Sequence, residues 1–181
     1  DRQRPDRGGM PAHVAQIRRV AFDDVRFASA PFTGAANGTW TAKGDGPGTL
    51  DLRAQLAGGN VDEVSRYIPL TLGGGLRTWL KASILEGTAS DVRVNLAGDL
   101  ADFPFADNRA GKFLVAFKVR NGTLRFLPEW PPIEGLDADL RFEGKGMTID
   151  ASRGRSLGAQ IGPTKAEIPN LSAPFPVLTV T

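Results

Sequence analysis

The stretch Lys112–Phe126, KFLVAFKVRNGTLRF, decides the fold. Phe113, Val115, Phe117 and Val119 fall on one side of an extended chain, and Leu114, Ala116, Lys118 and Arg120 on the other. A period of two is the mark of a strand with one buried face. Leu124 and Phe126 resume the pattern beyond Asn121-Gly122. Asn-Gly adopts positive φ readily, as both central positions of a type I′ turn require, so the pair predicts a two-residue hairpin. A chain that repeats this device builds an antiparallel sheet with an apolar face.

The same grammar extends in both directions. Upstream, Val20 and Phe22 are followed, after Asp23-Asp24, by Val25 and Phe27, a strand whose register slips at a bulge. Thr39-Trp40-Thr41 predicts a short strand, and 43–48 is turn chemistry. Leu50, Leu52, Ala54 and Leu56 alternate strictly with Asp51, Arg53 and Gln55. Nearer the opening stretch, and still before it, Val92, Val94, Leu96 and Leu100 form another such run. A loop around Phe103-Pro104-Phe105 follows, and later a stiff turn where Pro128, Pro131 and Pro132 surround Trp130. Leu136, Ala138, Leu140 and Phe142 turn through 143–146 into Met147, Ile149 and Ala151. Residues 157–168 predict a further strand interrupted at Gly162-Pro163, and the chain ends β-prone.

Between the two β regions the period changes. Asn60 and Glu63 have capping-box spacing, Val61, Val64 and Ile68 share a helical face, and Pro69 ends the run. After Gly73-Gly74-Gly75, the residues Leu76, Trp79, Leu80 and Ile84 recur at helical spacing, with Gly87 suited to a C-terminal cap. The expected organisation is an irregular tail (1–16), a first β segment (17–58), a helical insertion (59–87) and a main antiparallel segment (88–181) of the same domain.

Composition limits what this architecture can do. The 181 residues are 41% hydrophobic and 23% charged, ordinary for a globular chain able to bury a core. Gly 22 and Pro 13 suit many strands joined by turns. The net charge is +2, and Arg2, Arg4, Arg7, Arg18 and Arg19 form the one basic cluster. That cluster reads as a solvated tail or as a contact for anionic lipid headgroups. No aromatic residues interleave with it, which argues against nucleic acid. Without cysteine there is no disulfide, thiolate metal site or thiol nucleophile. No run reaches the roughly 20 apolar residues of a membrane span. The chain starts at Asp1 with no signal peptide, so a segment of a longer protein is expected.

A search for chemistry ends without a site. His13 is the single histidine and has no evident triad partner. Gly73-Gly74-Gly75 could hold an anion at a helix start, but no Walker lysine follows, and a joint between helices fits better. Asp137, Asp139 and Glu143 share a strand face with Arg141, and oxygen ligands of that kind could bind calcium. They are equally the water-facing positions of a strand whose other face is apolar, and no EF-hand ligand order is present. Asp99, Asp102 and Asp107 are read the same way. The expectation is a non-enzymatic protein with no metal and no cofactor.

The apolar face is what remains. Its candidate binding residues are Val92, Val94, Leu96, Phe113, Val115, Phe117, Val119, Leu136, Leu140, Phe142, Met147 and Ile149. Either helices close this face into a core, leaving a structural or assembly module, or part of it stays open. A sheet of seven strands at about 4.8 Å spacing is broader than a helix of ~10 Å diameter can cover. An open apolar face above a few hundred Å² marks a binding surface.

Several longer motifs add a family resemblance. Arg66-Tyr67-Ile68-Pro69-Leu70, Leu76-Arg77-Thr78-Trp79-Leu80 and Gly98-Asp99-Leu100-Ala101-Asp102-Phe103-Pro104-Phe105 resemble the AsmA-like envelope proteins of Gram-negative bacteria, YhdP type. The likeness continues through Pro128-Glu129-Trp130-Pro131, 136–144 and 149–154, and covers about residues 48–171. It implies an inner-membrane protein, anchored by a helix outside this stretch, that extends through the periplasm. It also implies an antiparallel meander curved into an open half-pipe with two short helices near 61–85. The implied role is bridge-type lipid carriage for outer-membrane biogenesis, with phospholipid acyl chains in the groove and neighbouring β segments at the sheet edges. Each buried methylene is worth about 0.8 kcal/mol, so an acyl chain leaving a membrane faces a barrier above ~10 kcal/mol. A continuous apolar groove removes most of it without chemistry.

Overall fold

The computed structural model describes residues 17–29, 32–61, 78, 82–105, 109–173 and 176–181. Its architecture is one open antiparallel sheet of eleven strands. They are β1 (Arg19–Ser29), β2 (Phe32–Thr41), β3 (Thr49–Ala57), β4 (Gly59–Asn60), β5 (Ile84–Asp99), β6 (Gly111–Leu124), β7 (Ile133–Glu143), β8 (Gly146–Ser156), β9 (Ala159–Ile161), β10 (Thr164–Ile168) and β11 (Thr179–Val180). The order is β1-β2-β3-β5-β6-β7-β8-β10-β11, with β4 on β5 and β9 on β8. The sheet is thus a meander in which nearly every strand pairs with its neighbours in sequence.

Two expectations are corrected here. Asn121-Gly122 is not a hairpin. It lies inside β6, whose two flanks pair with β5 on one side and β7 on the other rather than with each other. The positive φ is real, 50° at Asn121, but it serves a bulge between Val119 and Gly122. Ile84 does not end a helix and Gly87 does not cap one. Ile84 opens the 16-residue β5, and Gly87 sits at a register shift with φ 124°. The rest of the helical expectation falls on 61–83, mostly outside the described residues, as do His13, Gly73-Gly74-Gly75, Asp107 and the tail 1–16. Helix contributes little to the described chain.

The bulges explain how one face stays apolar along strands whose pattern changes parity. Asp24 (φ 44°), Asp91 (φ 53°) and Asn121 each adopt the left-handed conformation at a register shift. Asp and Asn tolerate that region better than other side chains. At each, one extra residue moves the apolar set from one parity to the other: Phe22 to Val25, Ala89 to Val92, Val119 to Gly122 and Leu124. Two of the displaced amides are satisfied alike. Asp24 N–H donates to Asn37 Oδ1 at 2.6 Å, and Asn121 N–H to Asp137 Oδ1 at 2.9 Å, each acceptor lying on the adjacent strand.

Candidate functional site

Residues directly opposite in an antiparallel pair project from the same face, so the register sorts the side chains. Four rungs cross β1, β2, β3 and β5: Val20–Trp40–Leu50–Gly98, Phe22–Gly38–Leu52–Leu96, Val25–Ala36–Ala54–Val94 and Phe27–Gly34–Leu56–Val92. None contains a polar side chain. The third continues through Val115, Phe142 and Met147 to Ile168. A further rung runs Phe117–Leu140–Ile149–Ala166. All twelve candidate residues therefore lie on one face.

Their exposure divides that face. Val92, Phe113, Phe117, Val119, Leu136, Leu140, Phe142, Met147 and Ile149 are buried, and Val94, Leu96 and Val115 are half-buried. The buried members form one cluster joined by Phe105, Val61, Leu124 and Ile168. On β1–β3 the face is open. Val20 is 43% exposed, Val25 46% and Phe27 38%, while Phe22, Trp40, Leu50, Leu52 and Leu56 are half-buried. None of these eight was among the candidates from sequence. What marks them is register. Phe22 stands opposite Gly38 and Phe27 opposite Gly34, and a Cβ on these glycines would stand 2.7 and 3.2 Å from the facing rings. An aromatic side chain folded over a cross-strand glycine covers bare backbone and makes a smooth apolar surface.

An aromatic cluster sits at one end of the β5–β6 pair. Asp99 closes β5 and accepts a hydrogen bond from Ala101 N–H at 3.0 Å, which starts the short 3-10 turn Leu100–Asp102. Lys43 Nζ donates to the same carboxylate at 2.6 Å. These two donors, the lysine first, hold the Asp99 carboxyl below the usual carboxylate range. The turn delivers Phe103 against Phe113 with ring centroids 4.9 Å apart, and Phe105 onto the paired glycines Gly98 and Gly111. Phe105 is almost wholly buried. A Cβ at Gly111 would stand 2.6 Å from its ring, so glycine here is what admits it.

The opposite face is charged and wet. Lys118, Asp139 and Asp150 face each other across β6, β7 and β8, and Arg141 pairs with Glu143 at 2.7 Å. Asp137 is engaged by Asn121 N–H and by Arg153 Nε at 2.7 Å. The carboxylates considered as calcium ligands are thus spread along a solvated face, and among the described residues no cluster of three metal-ligating side chains occurs. No helix among them is long and apolar enough to cross a membrane.

The sheet is unclosed and its apolar rungs share one face, and the sequence that builds it matches a known family. The family described as YhdP protein matches residues 12–181. The chain belongs to the YhdP family. It is 32% identical over 125 residues to the intermembrane phospholipid transporter YhdP of Escherichia coli (strain K12). That alignment covers 67% of this chain and 9% of the relative, so the chain spans a small part of the relative's length. No solved structure matches the chain.

Proposed function

We propose that this chain is one section of a bridge-type lipid carrier, in which the apolar face forms part of a groove that conducts phospholipid between the inner and outer membranes. The observation that carries it is the set of wholly apolar rungs on an open sheet whose β1 edge is paired on one side only. A face of this kind lowers the cost of moving acyl chains through water. The relative's role as an intermembrane phospholipid transporter supports the same reading. In the longer protein, strands from neighbouring segments continue the sheet at its edges, the groove lies in the periplasm, and an anchor elsewhere holds it to the inner membrane. The sheet curves into a half-pipe around the lipid. The work is transfer without bond breaking, and requires no catalytic group.

The burial of nine of the twelve candidates favours a second reading for β5–β10, a closed core with a purely structural role. Native mass spectrometry of the chain after incubation with phospholipid vesicles separates the two. The carrier reading expects bound phospholipid that is lost in Val94→Asp, a half-buried position between the halves, with the far-UV circular dichroism unchanged. A chain that takes up no phospholipid sinks the carrier reading and leaves the structural one.

A further inference from the structure

The open half of the apolar face and the basic residues where β1 begins meet at one place. Ala42 N–H donates to the Arg18 carbonyl at 2.8 Å, which sets Arg18 opposite Ala42, one step beyond the Arg19–Thr41 pair. Alternation then puts Arg18 on the face of Val20 and Phe22, and Arg19 on the other. Arg18 is exposed and has no ion-pair partner among the described residues. Lys43, near the same end, is already neutralised by Asp99. A cation thus stands at one end of four apolar rungs, and the far rung, Phe27–Gly34–Leu56, carries no charge.

The dimensions fit one kind of occupant. Four rungs are three steps of two residues, about 20 Å at ~3.4 Å per residue. One leaflet's acyl chains span roughly 15 Å, half the ~30 Å hydrocarbon core. We infer that the β1–β3 face with Arg18 at its mouth is a phospholipid subsite, the lipid phosphate on the Arg18 guanidinium and an acyl chain lying along the strands over the rungs, an inference that rests on the carrier reading above. The guanidinium suits a phosphate because it offers paired N–H donors in a planar fork. Phe103 and Phe113 bound the subsite on the β5–β6 side.

Trp40, in the rung next to Arg18, reports on this directly. The test uses the 181-residue chain with Trp79→Phe and Trp130→Phe, loaded from vesicles of brominated phosphatidylglycerol and then separated from them. Bromines at carbons 6 and 7 quench Trp40 more than bromines at carbons 11 and 12, because the phosphate end lies beside it. Arg18→Gln weakens phosphatidylglycerol binding about 5-fold, matching ~1 kcal/mol per basic residue at an anionic lipid surface. It leaves binding of brominated diacylglycerol, which lacks the phosphate, unchanged. Bound lipid with no quenching of Trp40, or with the opposite bromine order, overturns the subsite and spares the carrier reading. An equal loss of diacylglycerol binding overturns the phosphate assignment. A chain with no bound lipid overturns both readings.

Discussion

Asp137 shows how a single side chain keeps the sheet in register. Its carboxylate receives Asn121 N–H, which the bulge in β6 has removed from the ladder, and Arg153 from β8. Ser152 Oγ adds a bond to its carbonyl at 3.1 Å. The Asn121 amide first, then Arg153, holds the Asp137 carboxyl below the usual carboxylate range. Because the folded value is depressed, the stabilisation is complete above the unfolded carboxylate range and is lost as pH falls through the folded value. Asp137→Ala should cost about 2 kcal/mol at neutral pH, within the range for hydrogen bonds to a charged group. Asp137→Asn keeps an acceptor for the amide and should cost less. Urea denaturation across pH checks this, since the gap between wild type and Asp137→Ala should narrow on the acid side. A gap that is constant with pH would show that the charge plays no part.

At the scale of elements, the glycines that admit an aromatic ring matter more than those in turns. Gly98 and Gly111 form the floor on which Phe105 rests, and Asp99 starts the turn that brings it there. Gly111→Ala puts a methyl group against both the ring and the Ala97 carbonyl. The expected loss is 1–3 kcal/mol, typical of overpacking. It should be accompanied by faster hydrogen exchange near the β5–β6 end and a changed near-ultraviolet signal from the Phe103, Phe105 and Phe113 cluster. Unaltered exchange there would mean that the loop is not seated by this contact. The strands themselves were legible wherever one face is buried and the other wet, as in β3, β7 and β8, because the period of two is then imposed by burial. Of β2 the sequence marks only Thr39-Trp40-Thr41, since FTGAANGTWT has no alternation and is held as a strand by β1 and β3. The bulge at Asn121-Gly122 was legible in principle. Apolar positions change from odd to even across it, which a parity-switching bulge accounts for. Asn-Gly alone signals positive φ, and both a type I′ turn and a bulge need that. The open β1–β3 surface was not legible, because the Phe–Gly pairs that build it are neighbours only once register is known.

At the scale of the whole molecule, one face is closed in one half and open in the other. On β5–β8 the apolar rungs are buried and stabilise the fold. On β1–β3 the same grammar leaves them exposed or half-buried, so folding gains less there. Leu140→Ala, in the closed half, should therefore cost 2–5 kcal/mol, whereas Leu52→Ala, half-buried in the open half, should cost clearly less. Local opening free energies follow the same gradient, because regions with fewer buried apolar contacts open more easily. Amide hydrogen exchange should be slowest in β6–β8 and fastest in β1–β2. A ligand that binds only the folded form adds stability according to its concentration over its dissociation constant. If acyl chains occupy the open rungs, added phosphatidylglycerol should slow exchange chiefly in β1–β3 and leave β7 and β8 nearly unchanged. Slowing confined to β7–β8 would move the lipid to the closed half, and uniform protection before lipid is added would contradict the division itself. Such a gradient is what the proposed groove requires. A face that gained its full stability from self-burial would have to unfold to accept a lipid, whereas one half-exposed beside a closed core can exchange water for an acyl chain while the sheet stays intact.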